Sequence, residues 1–460
     1  MLDCDVIVIG AGPGGYVAAI RAAQLGAKVV VIERAELGGV CLNWGCIPTK
    51  TLIHSGETYR RLKGGKTHGI SAADVTLDLP GLLKHKNDVV RKNKAGIASL
   101  FKGHGIEAVQ GSASVEGPGT VMVDGRSLRS RSIIVATGSR PARIPGLETN
   151  GKTVIGSTDA LELDHVPSRI AVIGAGAIGS EFACLWNNFG ASVTLIEKMP
   201  SVLPLDDVEL TDRLAKHWKK SGIDVRSGTT VKTMKVGKKG VTLELEGKSP
   251  GTVEVDVVLV GIGIAFNSEA AGNSGVALGD RGQILVNDRM ETSIPGIFAI
   301  GDVTGKTLLA HGASAEAMVA AENSAGKNRT MNYRVVPACT FTSPEIARVG
   351  LTEAQAREAG IEVRVGRFNF AASGRALAMD ETDGMVKLIG DARTDQLIGA
   401  HILGAEAGEL IAVPALAMQM EATVEDVAHT IHTHPTLSET LLEASEDYYG
   451  RSIHTPPKRR

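Results

Sequence analysis

The sequence predicts an α/β chain in which two parallel-sheet units, each opening on a glycine turn, precede a C-terminal α+β segment. Three observations carry that expectation. Two stretches share one order: apolar strand, glycine turn, helix, apolar strand, acid. In both, the last glycine and the acid stand 18 residues apart, Gly15 to Glu33 and Gly179 to Glu197. Beyond residue 336, period-two runs alternate with helical runs and the repeated unit does not return.

The elements follow in chain order. Asp5 to Ile9 is an apolar run of strand length, and Gly10-Ala11-Gly12-Pro13-Gly14-Gly15 follows it. Tyr16 to Leu25 reads as a helix with small residues on its buried side, and Lys28 to Ile32 as a second buried strand that ends in Glu33. Gly10 permits the tight turn, Gly12 lets a pyrophosphate approach the backbone, and Gly15 lets the helix pack on the sheet. Glu33 can bind a ribose 2′-hydroxyl. A helical stretch runs from Leu82 to Lys102 and a glycine-rich β segment from Gln110 to Val135. The unit then recurs: Arg169 to Ile173, the turn Gly174-Ala175-Gly176-Ala177-Ile178-Gly179, a helix through Phe189, then Ser192 to Ile196 and Glu197. Two Rossmann-like folds imply two dinucleotides, a bound flavin dinucleotide (FAD) and a diffusible nicotinamide dinucleotide. Glu197 repels a 2′-phosphate, which favours NAD over NADP, and the neighbouring Lys198 moderates that preference. Near the C-terminus, Val363 to Phe370, Gly384 to Ile389 and Gln396 to Leu403 read as strands. Ala405 to Met420 and Leu437 to Tyr449 read as helices.

Composition narrows the function classes. A chain of 460 residues is expected to hold about three domains. With 49 basic and 51 acidic residues it has no broad basic face for nucleic acid. No apolar run reaches the ~18 residues of a membrane span. The first strand begins near Asp5, so no signal or transit peptide is expected, although a mature organellar protein would read the same way. Five cysteines in so long a chain do not make a secreted disulfide scaffold.

Two of those cysteines stand out. Cys41 and Cys46 lie just after the first glycine turn, within Gly38-Gly39-Val40-Cys41-Leu42-Asn43-Trp44-Gly45-Cys46-Ile47-Pro48-Thr49-Lys50. Beside a dinucleotide cradle they suggest a disulfide that accepts and returns electrons. A metal site and two unrelated core thiols are the competing readings. Structural zinc wants a second ligand pair, and no such cluster exists in the sequence. Residues five apart in a regular helix face different ways, so the segment should be a distorted turn or an irregular helix start, which Gly45 and Pro48 fit. Cys4, Cys184 and Cys339 lie in or beside apolar segments and read as buried small residues.

A second chemical cluster, His432-Thr433-His434-Pro435-Thr436-Leu437-Ser438-Glu439, lies near the C-terminus. A thiol at its free pKa is a poor nucleophile at neutral pH. An enzyme that oxidises a dithiol therefore needs a base, and His434 with Glu439 to orient it supplies one. His432 reads as a supporting residue.

These motifs resemble those of the flavin-dependent pyridine nucleotide–disulfide oxidoreductase family, over nearly the whole chain. The resemblance rests on Gly38 to Lys50, Ala136-Thr137-Gly138-Ser139, the second glycine turn, Phe298-Ala299-Ile300-Gly301-Asp302-Val303, Leu308-Leu309-Ala310-His311, Thr342-Ser343-Pro344-Glu345, Val349 to Glu353 and the histidine segment. Within that family it is closest to the members that oxidise dihydrolipoyl groups. It implies two Rossmann-like dinucleotide-binding domains, for FAD and NAD, plus a C-terminal α+β dimerisation domain.

The resemblance also implies roles. Cys41 would be the interchange thiol that meets substrate, and Cys46 the charge-transfer thiolate against the flavin. Lys50 would sit near the reactive edge of the flavin. Glu33 would hold the adenosine ribose of FAD and Gly111 would approach the adenine. Asp302 would bind the ribityl chain and phosphates, and Ala310 would contact the flavin through its backbone. Thr137, Gly138 and Gly263 would join the cofactor contacts. Glu181 and Glu197 would serve the nicotinamide and its adenosine ribose. His434 with Glu439 would come from the second subunit of an obligate homodimer. FAD would be tightly bound, one per subunit, and NAD⁺/NADH diffusible.

The implied partners are the lipoyl domains of 2-oxo acid dehydrogenase acyltransferases or the glycine cleavage H protein, with no nucleic acid, membrane span or metal. The carrier is expected to be another protein, in a bacterial-type cytoplasm. Another disulfide reductase of the family, glutathione-like, and a non-catalytic flavoprotein subunit are the alternatives. The expected boundaries are 1–147 for the FAD domain, 148–267 for the NAD domain, 268–336 for a central domain that completes the FAD site, and 337–460 for the dimerisation domain.

Two departures from the family pattern stand out. Gly263 is followed by Ile264-Ala265-Phe266-Asn267, where an Arg-Arg-Pro-Asn type turn is common. Gly312 follows His311 where lysine is common, and reads as a surface change. The tail from Thr455 to Arg460 reads as disordered, or as a basic docking tail.

Overall fold

The structure, a computed structural model, describes residues 3–456, Lys66 by its backbone alone; most of the basic tail, 457–460, lies outside the described residues. The chain divides into two compact units.

The first unit comprises, of the described residues, 3–52, 79–144 and 263–332. Strand β1 (Val6–Ile9) leads through the glycine turn into helix α1 (Pro13–Gln24), and strand β2 (Val29–Glu33) follows. Both strands are continuous apolar runs because a parallel sheet is covered on both faces. The sheet is five-stranded and parallel, in the order Ile297–Ala299, Ser132–Val135, β1, β2, Glu107–Gln110. One edge strand therefore comes from far along the chain. The long helix Leu79–Gly103 precedes Glu107–Gln110. The β segment after residue 110 is a three-stranded antiparallel meander, Ala113–Gly117, Thr120–Val123 and Arg126–Arg129. Helix Ala310–Ser324 packs along α1. Gly14 makes that approach possible: a Cβ there would meet Ile300 Cδ1 at 3.3 Å and Ala313 Cβ at 3.4 Å. Arg21 of α1 closes the contact with a 2.6 Å ion pair to Glu322.

The second unit comprises, of the described residues, 53–78, 145–262 and 333–456. Its parallel sheet has the order Asp224–Ser227, Ser192–Glu197, Arg169–Ile173, Val257–Val260, Val154–Ile155. A three-stranded antiparallel sheet, Thr229–Gly237, Gly240–Gly247 and Gly251–Val255, is inserted before Val257. An antiparallel five-stranded sheet follows in the order Ala338–Thr340, Glu345–Gly350, Leu397–Gly404, Met385–Asp391, Val363–Asn369. The three C-terminal strands expected from the sequence are all present. The expected helix Ala405 to Met420 is broken into Ala407–Leu410 and Ala412–Gln419. Pro414 has no N–H to offer the carbonyl of Leu410, so a continuous helical ladder cannot form there.

A row of basic side chains crosses the antiparallel sheet in register: Arg348, His401, Lys387, Arg367. Acids at and before the start of helix Val208–Lys220 face it. Arg348 pairs with Asp206 at 3.1 Å, and Lys387 with Asp207 at 3.0 Å, Glu209 at 3.1 Å and Glu353 at 3.0 Å. Arg367 bonds Glu209 and Glu353. His401 lacks a carboxylate of its own; its Nε2 bonds the Leu351 carbonyl at 3.0 Å, and burial holds its pKa below the ordinary value. Burial works against the charge on Glu353, yet hydrogen bonds from Arg357 and Lys387 outweigh it and hold that carboxyl at about 2.

Lys387→Ala would take the lysine from three carboxylates, Asp207, Glu209 and Glu353, at a site where its side chain is 3% exposed, and would leave Arg367 to serve only the last two. The expected loss is about 3–5 kcal/mol in urea unfolding at pH 7. A depressed carboxyl pKa adds stability above its unfolded value of 4.5, and that stability goes as pH falls through about 2. The gap between variant and parent should therefore narrow across that window. A constant gap down to pH 2 would show that Lys387 acts by packing alone.

Candidate active site

The two glycine turns are built alike, bond for bond. Gly10 (φ +96°) donates its N–H to Ile32 at 2.8 Å, and Gly174 (φ +99°) donates to Ile196 at 2.8 Å. A Cβ on Gly15 would overlap the carbonyl of Gly10, and one on Gly179 that of Gly174. The middle glycines face open space. Nothing approaches a Cβ built on Gly176 within 4 Å, and the nearest atom to one on Gly12 is Gly39 Cα at 4.0 Å. Neither α1 nor helix Ala177–Asn188 has a side-chain cap, so the free N–H groups of each first turn point at that space. These are the features a pyrophosphate needs.

The acids repeat the pattern. Glu33 accepts from Ala11 N–H at 2.7 Å and Ala35 N–H at 2.8 Å. Glu197 accepts from Ala175 N–H at 2.6 Å and Met199 N–H at 2.7 Å. Each carboxylate is thus fixed beside its turn by two backbone donors.

Further residues of the first unit line up with the expected flavin contacts. Gly111 (φ +157°) donates to the Glu33 carbonyl at 3.0 Å, and a Cβ there would press on Asp124 at 2.5 Å. Thr137 and Asn267 bond each other reciprocally at 2.7 and 2.9 Å, and Gly138 accepts from Asn267 N–H at 3.0 Å. Asp302 accepts from Ser139 Oγ at 2.6 Å. The adjacent Gly301 N–H is held by fully buried Glu316 at 2.6 Å. Ala310 opens helix Ala310–Ser324, whose N-terminus also lacks a side-chain cap. The residues present fit FAD in the first unit and a second dinucleotide in the second.

Gly263 (φ +75°) accepts from Ala142 N–H at 3.2 Å, and the departing segment Ile264–Phe266 pairs antiparallel with Ser139–Pro141. The departure is therefore absorbed into a two-stranded sheet of the first unit. Glu181 is 5% exposed and accepts from Phe341 N–H at 3.1 Å.

Gly312 corrects an expectation. It is buried, and a Cβ there would overlap Thr307 Oγ1, so the glycine is a packing requirement and not a surface change. Cys339 also differs: it is half-buried, whereas Cys4 and Cys184 are buried. Burial pushes the thiols of Cys4 and Cys184 up to about 11 and about 12, so both are inert at neutral pH.

The cysteine pair sits at a helix break, as the five-residue spacing requires. Cys41 lies in helix α2 (Gly39–Trp44) and Cys46 is the first residue of helix α3 (Cys46–Lys63). Gly45 interrupts them at φ −142°, ψ −112°. A Cβ on Gly45 would come within 3.1 Å of the Val40 carbonyl oxygen, which would have to give way to any larger residue. Both cysteines are reduced, with no disulfide between them, and are in direct hydrogen-bonding contact. That contact first, and burial second, push Cys41 far above its ordinary pKa, while Lys50 pulls the other way. Tyr16 stands beside the pair, its phenol pKa raised by burial and by Cys41. Sequence reasoning passed over Tyr16 because a tyrosine at the start of an apolar helix carries no distinguishing signal.

The histidine cluster belongs to the second unit. His434 Nδ1 and Glu439 Oε1 are 2.8 Å apart, and Glu439 Oε2 accepts from Thr436 N–H at 2.9 Å. Burial works against the charge on Glu439, but the Thr436 N–H and His434 outweigh it and hold the carboxyl below its ordinary range. The His434 side chain is 81% exposed and its Nε2 is free to meet a substrate or another chain. His432 Nδ1 lies 2.7 Å from the Thr430 carbonyl.

Two family models match the chain. The pyridine nucleotide-disulphide oxidoreductase model matches residues 4–317, and its dimerisation-domain counterpart matches 336–445. A dihydrolipoyl dehydrogenase of Thermus scotoductus is 47% identical over 460 residues, with 99% of each chain covered. One from Chlorobaculum tepidum is 44% identical over 96% of each chain. Among solved structures, LpdA of Mycobacterium tuberculosis matches with a TM-score of 0.89 and 27% identity, over 96% of this chain and 99% of that one. The HOCl-induced flavoprotein disulfide reductase RclA of Escherichia coli matches with a TM-score of 0.84 and 29% identity, over 95% and 98%.

Proposed function

The chain belongs to the pyridine nucleotide-disulphide oxidoreductase family, and from that premise we propose that it oxidises protein-bound dihydrolipoyl groups to lipoyl groups and reduces NAD⁺ to NADH. The observation that carries this reading is the cysteine pair in contact across the Gly45 break, beside a glycine turn shaped for a dinucleotide. The near-full-length relatives named for the same activity support it.

The roles divide by position. Cys46 heads an 18-residue helix whose N-terminal dipole favours a thiolate, whereas Cys41 resists ionisation. In this reading Cys46 is the sulfur placed to hold the thiolate, and Cys41 is the sulfur open to exchange. His434, oriented by Glu439, takes a proton from a dihydrolipoyl thiol. The thiolate attacks Cys41 of the Cys41–Cys46 disulfide and releases Cys46 as thiolate. The second substrate thiol then displaces Cys41, which leaves lipoyl product and a reduced pair. FAD, held in the first unit, would supply the two-electron chemistry that links this dithiol to NAD⁺. Glu33 would hold the ribose of FAD and Glu197 that of NAD; Thr137, Gly138, Asp302, Ala310, Gly111 and Lys50 would complete the flavin contacts, and Glu181 and Gly263 the nicotinamide side.

The matched dimerisation domain supports a homodimer. We assign His434 to the partner subunit's dithiol site, which its exposure in a single chain suits. The lipoyl carriers proposed are the acyltransferases of 2-oxo acid dehydrogenase complexes or the glycine cleavage H protein. Among the described residues no helix is long and apolar enough to cross a membrane; the bacterial relatives support a cytoplasmic location. The testing experiment is NAD⁺ reduction by dihydrolipoamide with the purified protein, its visible spectrum followed after one equivalent of dithiol. Fast turnover is expected. A bound flavin without turnover would move the substrate to another disulfide.

A further inference from the structure

Helix α2, which carries Cys41, has six residues. A helix so short is not stable on its own propensity. It also starts awkwardly: Gly38 (φ +92°) and Gly39 (φ +58°) are both left-handed, and the bond from Leu42 N–H to the Gly38 carbonyl is stretched to 3.4 Å. The turn is tied to the dinucleotide loop, because Gly38 N–H donates to the Ala11 carbonyl at 2.8 Å. A Cβ on Gly39 would lie 2.7 Å from Gly12 Cα.

One side chain fastens this arrangement from within. The Asn43 amide donates to the Leu37 carbonyl at 3.0 Å and to the Gly39 carbonyl at 2.9 Å. Asparagine usually weakens a helix by offering the backbone a competing partner. Here that partnership staples the left-handed turn to the helix, with Cys41 midway between the two tied residues. We propose that Asn43 is a positioning residue for the redox pair: it holds Cys41 in register with Cys46 and so sets the balance between disulfide and dithiol. The proposal rests on the pair being redox-active, as inferred above.

The direction follows from effective concentration. Cys46 is fixed by α3, and Cys41 is fixed only as well as α2 is. Loosening α2 lowers the effective concentration of one sulfur at the other, which favours the open dithiol. The exchange involved is disulfide plus two glutathione thiols giving the Cys41, Cys46 dithiol plus glutathione disulfide. A tenfold shift in that equilibrium corresponds to about 30 mV.

The experiment equilibrates the FAD-loaded dimer with glutathione buffers, traps thiols by alkylation and counts them by mass. Asn43→Ala and Asn43→Asp both lose the donors, so each should be reduced at a roughly tenfold milder glutathione ratio. Asn43→Ser keeps one short donor for the Gly39 carbonyl and should shift part of the way. If the alanine or aspartate variant loses flavin, the serine variant decides, since its shift must have the same sign. Flavin-loaded variants that share the parent's equilibrium, whatever their melting temperatures, would overturn the proposal. A parent that forms no Cys41–Cys46 disulfide in any buffer would overturn the redox reading itself.

Discussion

Cys41→Ser abolishes NAD⁺ reduction by dihydrolipoamide, by about 10⁴-fold or more, while the protein still oxidises NADH with artificial acceptors. The asymmetry follows from where the two half-reactions run. Dithiol oxidation needs a sulfur that can be attacked and then released, and a serine oxygen at position 41 can do neither. The exchange of electrons between nicotinamide and flavin does not pass through that sulfur. The dinucleotide turns, the glutamates beside them and the Asp302 contact do not involve Cys41 and should be unaffected by the change. Serine is close to cysteine in size, and Cys41 is only half-buried, so the fold should bear the change. Steady-state assays with the two kinds of acceptor check this on one preparation. Full activity with dihydrolipoamide would remove the cysteine pair from the mechanism.

His434→Gln should lower kcat/KM for dihydrolipoamide by about 10²–10⁴-fold, the usual worth of a positioned base. The pH dependence is the more diagnostic result. Without its base the enzyme must wait for substrate that has ionised unaided. Its rate should then climb about tenfold per pH unit below the thiol's own pKa, near 8.5 for a cysteine-like thiol. Glu439 does not produce an acidic limb in the parent within the working range. Its carboxyl is held below the ordinary value, so it stays charged until the pH falls beneath that range. A His434→Gln profile parallel to the parent's would show that the histidine acts by packing and not by moving a proton.

Much of this was legible in the residues because the relevant signals are local. A glycine turn followed 18 residues later by an acid gave both dinucleotide units, since strand, turn and helix are contiguous in the chain. The Cys41–Cys46 spacing required a broken helix, and Gly45 breaks it. What stayed hidden depends on distant neighbours. Gly312 looked like a surface variant because nothing in its own sequence reveals that Thr307 closes over it. The basic row Arg348, His401, Lys387, Arg367 comes from four strands, and its acids from the starts of two helices, Val208–Lys220 and Glu353–Glu358. Asn43 was overlooked because its partners are backbone carbonyls, which leave no trace in composition. The break in the helix after Leu410 could have been found, since Pro414 stood in plain view within the predicted helix.

The edge strand Ile297–Ala299 has a consequence for how the protein is made. It belongs to the same sheet as β1, yet a ribosome reaches it only after the whole stretch 145–262 of the other unit has emerged. At about 5–20 residues per second, the nascent first unit waits about 8–30 seconds with that sheet edge open. The sheet behind the first glycine turn is thus completed only late in synthesis, and a chain cut short before residue 297 should leave Ser132–Val135 as an unpaired edge.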